Sequence, residues 1–188
     1  MTLMLGGIEA GGTKIVLAVA RDPGAILARA EIPTVGPGET CEAICAFFSR
    51  HAPLAALGVA SFGPLDVNPA SPRHGRILET PKPGWAGVDL LNELGAFACP
   101  VVVDTDVSGG ALAEWRAATG QGVANLAYAT IGTGIGVGVV RGGETRKRCI
   151  IRKWVTSGPR ATRRAIRLKE PVRFTAPVLK GSPADPRS

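Results

Sequence analysis

The first 144 residues alternate short apolar runs with turn-forming stretches, a pattern typical of an α/β domain. β-branched runs predict strands, and apolar residues three or four apart predict helices. In chain order these are strands at Leu3–Ile8, Ile15–Ala20 and Ile26–Thr34, a helix at Glu39–His51, a strand at Ala56–Ala60, a helix at Val88–Phe97, a strand at Val101–Val103, a helix at Val107–Ala118 and a strand pair at Leu126–Ile131 and Ile135–Val140. Thr40 is the candidate N-cap of the first helix. The order predicts a mixed sheet with one antiparallel edge and helices packed on it.

A long stretch without helical or strand periodicity separates the fourth predicted strand from the second helix. Residues 65–87 are rich in Pro, Gly and Asn and therefore predict a loop. Loops of this length inside a domain are usually functional.

The first candidate for chemistry is a glycine-rich turn between the first two strands. It contains Gly11, Gly12, Thr13 and Lys14. Glycines let backbone N–H groups approach an anion, Thr13 adds a hydroxyl donor, and Lys14 adds a cation. The spacing is not that of a Walker A loop, and a strand rather than a helix follows. These residues alone leave an ordinary hairpin turn open.

A second glycine-threonine turn joins the last two predicted strands. It contains Thr130, Gly132, Thr133 and Gly134, and no helix opens after it, which argues against a dinucleotide-binding fingerprint. Two such turns in one α/β unit favour loops that close on the same polyphosphate from opposite sides.

Two aspartates follow the buried strand at Val101–Val103. Asp104 and Asp106 stand where the strand ends and the next helix begins, the position at which open α/β sheets place ligand sites. One of them caps the helix in the simplest interpretation. The other can accept a proton from an attacking hydroxyl.

Together these motifs resemble the ROK family of sugar kinases, within the actin-like ATPase (ribonuclease H-like) superfamily. The resemblance covers residues 5–143 and is carried by five segments: Ile8–Lys14, Thr130–Gly136, Asp104–Ser108, Ala60–Asp66 and Thr80–Trp85. Glu9, where most relatives have Asp, and the last two segments favour the bacterial fructokinase branch.

The resemblance implies ATP-dependent phosphorylation of a hexose, most simply fructose to fructose 6-phosphate, with Mg²⁺. It implies Asp106 as catalytic base, Gly11, Gly12, Thr13, Lys14, Thr130, Gly132, Thr133 and Gly134 as nucleotide-phosphate ligands, and Gly63, Pro64, Thr105 and Asp106 as sugar-side residues. Lys82 and Trp85 are interpreted as loop anchors rather than sugar contacts. Glucose, mannose and an N-acetylhexosamine stay open as substrates. Family members often form homodimers.

The net charge is unevenly distributed. Residues 1–144 hold nine Lys or Arg against thirteen Asp or Glu, a net −4, whereas residues 145–188 hold thirteen against two, a net +11. The basic segment has no sustained amphipathic face and no recognisable nucleic-acid module, so we expect it to be weakly ordered and to bind polyanions nonspecifically at most. Its abrupt change of composition suggests out-of-frame sequence.

The sequence departs from the family pattern in its second half. Ser108 replaces an asparagine, and the second lobe, with its zinc-binding C-x-C signature, is not found after Glu144. We therefore expect an actin-like lobe over residues 1–120, the first hairpin of an incomplete second lobe over 121–144 and a tail over 145–188. We also expect no family zinc and little kinase activity from this chain alone, and a non-catalytic remnant is the alternative. We discount a transcriptional repressor of the same family, because no helix-turn-helix precedes the first strand.

Cysteine spacing and hydropathy argue against several other classes of protein. Cys41, Cys45, Cys99 and Cys149 show no C-x-x-C spacing, so we expect packed thiols rather than disulfides or a metal site shared with His51 or His74. No apolar run reaches the length of a membrane span, and the N-terminus lacks the basic residues of a signal peptide. We expect a cytoplasmic protein.

Overall fold

The computed structural model describes residues 4–22, 24–51, 53–118, 122–131 and 135–145. The chain begins with an antiparallel meander of three strands, β1 (Leu5–Ala10), β2 (Lys14–Ala20) and β3 (Ile26–Pro33). β4 (Ala56–Ser61) then pairs with β1 in parallel, and β5 (Val101–Thr105) pairs with β4 in parallel. The order β3-β2-β1-β4-β5 confirms the predicted mixed sheet with one antiparallel edge. Leu3, predicted to open the first strand, lies outside the described residues.

Strand alternation gives the sheet one apolar face. Ile8, Leu17 and Val59 point to this face and are almost fully buried. They pack against α1 (Pro37–Ser49), which contributes Ile44 and the fully buried Phe48. Burial of this apolar area is the main term that holds the domain together.

The start of α1 corrects the predicted N-cap. The helix begins at Pro37, and Gly36 holds the N-cap position without a side-chain hydrogen bond. Pro suits the first helical position because its missing N–H would have no partner there. Thr40 lies inside the first turn instead, where its buried hydroxyl accepts a hydrogen bond from Val35 N–H at 3.3 Å.

The predicted loop is an ordered, packed segment. Isolated antiparallel bridges join Leu65 to Ile77 and Arg76 to Asp89. Ile77 and Trp85 are buried in the main core, so the loop covers the apolar face beside α1.

The helices on either side of β5 differ in length. The helix predicted at Val88–Phe97 is broken into a single turn, α2 (Leu90–Glu93), capped by the Asp89 side chain, and a short 3₁₀ turn at Gly95–Phe97. α3 (Asp106–Ala118) matches its prediction closely and crosses the second face of the sheet at β4.

The last strands form a second, smaller sheet on the outer side of α3. β6 (Asn125–Ile131), β7 (Ile135–Arg141) and β8 (Glu144–Thr145) are antiparallel neighbours in that order. Ala111 of α3 packs with Leu126 and Val140 in a separate small core. The hairpin predicted for residues 121–144 therefore rests its apolar face on α3.

The end of the described chain contacts the main sheet. Thr145, where the basic tail is predicted to begin, pairs with Val140 and donates a hydrogen bond from its hydroxyl to Asp104 Oδ2 at 3.1 Å. The predicted domain boundary near residue 120 and the tail after Thr145 lie outside the described residues. Within the described part of the chain, no helix is long and apolar enough to cross a bilayer.

Candidate functional site

Three strands of the main sheet end side by side. Ala10, Ser61 and Thr105 are the last residues of β1, β4 and β5, and the parallel register aligns them directly. Gly11, Phe62 and Asp106 are consequently the first residues beyond the three strand ends, so the sheet brings them to one edge. This is the edge at which open α/β sheets place their ligands.

The turn after β1 is closed by its own backbone. Gly11 N–H donates to the Lys14 carbonyl at 2.9 Å, and the Thr34 hydroxyl donates to the Gly11 carbonyl at 2.9 Å. Thr34 N–H donates to the Thr13 carbonyl at 2.9 Å. A Cβ on Gly11 would approach the Lys14 carbonyl oxygen to 2.9 Å, so this tight closure requires glycine.

The tip of the same turn is open. No described residue accepts a hydrogen bond from Gly12 N–H or Thr13 N–H. A Cβ placed on Gly12 would meet no atom within 4 Å. Adjacent free N–H groups beside open space form the kind of backbone concavity that binds anions.

Lys14 is paired within the sheet. Its ammonium lies 2.9 Å from Glu31 Oε2 of β3, and both side chains are about half exposed. Lys14, Glu31 and Glu9 alternate onto the same face of the sheet, opposite the apolar core. The cation therefore stands beside the turn, and its present partner is a carboxylate.

A second cation reaches the turn from the loop. The Lys82 ammonium donates a hydrogen bond to the Gly12 carbonyl and lies 5.7 Å from the centroid of the Phe62 ring. No local pattern in the sequence indicates this contact, because its partners lie 70 positions apart.

The chain leaving β4 is held by aromatic packing. Phe62 N–H donates to the Ala10 carbonyl at 2.8 Å, and its ring meets Trp85 edge-to-face with centroids 5.2 Å apart. Trp85 is 1% exposed and donates its indole N–H to the Val35 carbonyl at 2.8 Å, which confirms it as a loop anchor. Gly63 and Pro64 follow, joined by a cis peptide bond.

The N-terminus of α3 is capped by Thr105. The Thr105 hydroxyl accepts a hydrogen bond from Ser108 N–H at 3.3 Å and donates to Ser108 Oγ at 2.9 Å. This satisfies an N–H of the first helical turn, the role that the sequence suggested for an aspartate. Asp104 accepts from Thr105 N–H and from the Thr145 hydroxyl instead.

Asp106 is the half-buried carboxylate of the edge, and Asp106 Oδ1 accepts a hydrogen bond from Val107 N–H at 2.9 Å. Burial raises the pKa of its carboxyl above the ordinary value, and the nearby charge of Glu9 raises that pKa further. Hydrogen bonds from Val107 N–H and from its own N–H lower the pKa without cancelling the rise. The pattern of the sequence did not indicate this proximity of Glu9.

The second predicted phosphate turn is described only at its start. Thr130 is exposed near the end of β6, where it pairs with Gly136 of β7. Gly132, Thr133 and Gly134 lie outside the described residues. The convergence of two turns on one polyphosphate stays a prediction.

The cysteines behave as packed or partly packed thiols. Cys41 is buried, Cys45 and Cys99 are partly exposed, and all three are unbonded; Cys149 lies outside the described residues. Burial, with a smaller effect of Glu93, raises the pKa of Cys41 to about 11. Across the described ranges, no three His, Cys, Asp or Glu side chains lie close enough to share a metal ion.

A mixed sheet with this strand order, an open glycine turn after its first strand and an aspartate beyond its fifth define an actin-like ATPase lobe, the fold of ROK sugar kinases. The profile of the ROK family matches residues 5–147, so the chain belongs to the ROK family.

Individual relatives agree with this assignment. A fructokinase of Pediococcus pentosaceus is 45% identical over 139 residues, which cover 73% of this chain and 48% of the relative. A ROK hexokinase structure from Thermus thermophilus is 31% identical with a TM-score of 0.66, covering 78% of this chain and 50% of its own. A Streptomyces griseus ROK glucokinase, solved with glucose and AMPPNP, is 28% identical with a TM-score of 0.65. The alignment covers 82% of this chain and 48% of the glucokinase. The chain thus spans about half the length of the relatives it matches.

Proposed function

We propose that the edge formed by Gly11, Phe62 and Asp106 belongs to an ATP-dependent hexose kinase, with fructose as its hexose. The alignment of three strand ends carries the proposal, because it brings an open anion-binding turn and a half-buried carboxylate to the same place. Phosphoryl transfer needs both groups, one for the phosphates and one for the attacking hydroxyl.

The turn after β1 holds the nucleotide phosphates in this proposal. The free N–H groups of Gly12 and Thr13 donate to phosphate oxygens, and the bare Gly12 backbone leaves room for them. Lys14 adds a positive charge once it leaves Glu31. The predicted second turn, with Thr130, Gly132, Thr133 and Gly134, adds further phosphate ligands in this proposal.

When bound together with the nucleotide, Mg²⁺ would offset the charge that develops on the transferred phosphoryl group. Mg²⁺ is usually held by one or two carboxylates together with substrate phosphates. Glu9 supplies a carboxylate at this edge beside Asp106, a donor that would fit such a partly hydrated ion.

Asp106 acts as the general base. Its carboxylate accepts the proton of the sugar hydroxyl that attacks the terminal phosphorus, while Gly63, Pro64 and Thr105 line the sugar side of the edge. The raised pKa of Asp106 makes its carboxylate a stronger base than an exposed aspartate, which favours proton transfer near neutral pH.

Fructose is the preferred acceptor because similarity is higher to a fructokinase than to a glucokinase. The identity is 45% to the fructokinase of Pediococcus pentosaceus and 28% to the glucokinase of Streptomyces griseus. Glucose, mannose and N-acetylglucosamine are the competing acceptors that an assay must include.

The test uses the 188-residue chain and a hybrid enzyme. In the hybrid, residues 5–145 replace the matching residues of the Pediococcus pentosaceus fructokinase, which supplies the half that the match does not cover. We expect fructose-dependent ADP release from the hybrid and little from the chain alone, since the chain matches only about half of an active relative.

The Asp106→Asn variant of the hybrid tests the base. Turnover should fall by roughly a hundredfold to ten-thousandfold, the usual contribution of a general base. Asp22→Asn is the matched control, because Asp22 lies in the turn between β2 and β3, at the opposite end of the sheet from the site. Full turnover in Asp106→Asn would contradict the role of Asp106 as general base. Equal preference of the hybrid for glucose and fructose would contradict fructose as the preferred acceptor.

A further inference from the structure

Lys82 is a charged residue at the edge that the proposed chemistry does not use. Its ammonium donates to the Gly12 carbonyl and also lies over the Phe62 ring, 5.7 Å from the centroid. It therefore joins the phosphate turn after β1 to the chain leaving β4.

The backbone that carries Lys82 is fixed in place. Lys82 N–H donates to the Thr80 hydroxyl at 3.4 Å, and the Lys82 carbonyl accepts from Trp85 N–H at 3.3 Å. Trp85 in turn is buried and bonded to the Val35 carbonyl. The ammonium is thus presented to the turn from an anchored segment rather than from a free loop.

The contact with Gly12 determines the direction of a neighbouring donor. A trans peptide unit is planar, so its carbonyl and its N–H point in opposite directions. A hydrogen bond that fixes the Gly12 carbonyl therefore fixes Thr13 N–H, which no described residue accepts. As a glycine with open space around its α-carbon, Gly12 itself restricts the orientation of this peptide less than another residue would.

We infer that Lys82 is a positioning residue for nucleotide binding. It holds the Gly12–Thr13 peptide so that Thr13 N–H faces the open side of the turn, where a nucleotide phosphate is received. This inference rests on the proposed function for its ligand, but the orientation of the peptide is a property of the chain without ligand.

The first experiment measures the affinity of the 188-residue chain for Mg-AMPPNP by calorimetry. We expect Lys82→Met, which keeps the stem and removes the donor, to bind about tenfold more weakly, and Lys82→Arg to recover most of the loss. Arg50→Met is the charge control, because Arg50 is exposed at the far end of α1. Equal affinity of Lys82→Met and wild type, or equal losses in Lys82→Met and Arg50→Met, would overturn the inference.

The second experiment observes the turn directly in the absence of nucleotide. In a chain labelled with [¹⁵N]threonine, the Thr13 amide signal should shift in Lys82→Met, return toward its original position in Lys82→Arg and stay unchanged in Arg50→Met. Unchanged Thr13 signals in Lys82→Met would overturn the inference even if nucleotide binds. If the hybrid enzyme releases no fructose-dependent ADP while the Thr13 signal responds to Lys82, the proposed function fails and the orientation of the Gly12–Thr13 peptide by Lys82 stands.

Discussion

Gly109 of α3 lies directly against Ala60 of β4. A Cβ on Gly109 would come within 2.6 Å of the Ala60 Cβ, closer than two carbon atoms can pack. The absence of a side chain lets the helix backbone approach the sheet at this point. Since Asp106 begins the same helix three residues earlier, this contact helps to position the Asp106 carboxylate at the sheet edge.

Gly109→Ala should therefore destabilise the fold. The Ala60 Cβ is fixed to a central strand and cannot move aside, so the helix must shift outward. Overpacking of this kind costs about 1–3 kcal/mol, which exceeds the gain of about 1 kcal/mol from replacing glycine in a helix. The midpoint of urea unfolding should fall. Gly38→Ala in α1 is the matched control, because a Cβ there meets no atom within 4 Å, and its midpoint should stay or rise.

Alanine substitutions at Gly11 and Gly12, in the turn after β1, should distinguish an effect on folding from an effect on nucleotide binding. Gly12→Ala places its methyl group in open space and should leave the unfolding midpoint unchanged, while nucleotide affinity falls at least tenfold as the methyl group blocks close approach of a phosphate. Gly11→Ala should lower the midpoint instead, because its Cβ meets the Lys14 carbonyl at 2.9 Å. For both variants, urea denaturation measures the unfolding midpoint and Mg-AMPPNP calorimetry measures the nucleotide affinity. Unaltered affinity in Gly12→Ala would remove the turn from the binding site.

Much of the fold could be predicted because the alternation of apolar residues is local information. The strands of the meander and the β5–α3 junction with Asp106 follow from periods of two and three to four residues. The predicted start of α1 at Glu39 is two residues late, because hydroxyl residues suit both caps and buried first-turn positions and Thr40 was therefore the candidate N-cap. Pro37, three residues earlier, was the stronger signal.

The site was less predictable, since its contacts depend on register and loop conformation. Glu9 approaches Asp106 only because β1, β4 and β5 end in alignment, which no single segment specifies. Lys82 reaches Gly12 only because Trp85 is anchored on Val35 and Phe62. The periodicity of apolar residues along the sequence does not indicate such long-range contacts.

Trp85→Phe should loosen the loop that carries Lys82. The phenyl ring keeps part of the edge-to-face contact with Phe62 but loses the indole N–H that donates to the Val35 carbonyl. Loss of a part-buried hydrogen bond of this kind costs about 0.5–1.5 kcal/mol. The free energy of unfolding from urea titration should fall by that amount. Val102→Ala is the control, because Val102 is 67% exposed and its truncation should change the unfolding free energy by less than about 0.5 kcal/mol.

Glu9→Gln should lower the pKa of Asp106. Burial, the larger cause of the raised pKa, is unchanged in this variant, so the pKa stays above the ordinary aspartate value, but the like charge of Glu9 is removed. A base works only when ionised, and its activity is lost as the pH falls through its pKa. Because the variant also loses a carboxylate that would hold Mg²⁺, the maximum of kcat/KM for fructose in the hybrid enzyme should fall, and the position of its acid limb, which reports the pKa, should move to lower pH.

The same change can be followed without turnover, through the ¹³C shift of the Asp106 carboxyl in an aspartate-labelled 188-residue chain. Its titration midpoint should fall in Glu9→Gln. Glu31→Gln is the matched control, because Glu31 lies on the same face of the sheet two strands from β1, where it pairs with Lys14, and the midpoint should stay where it is in wild type. A midpoint that Glu9→Gln leaves in place would show that Glu9 does not act on Asp106, and burial alone would then explain the raised pKa.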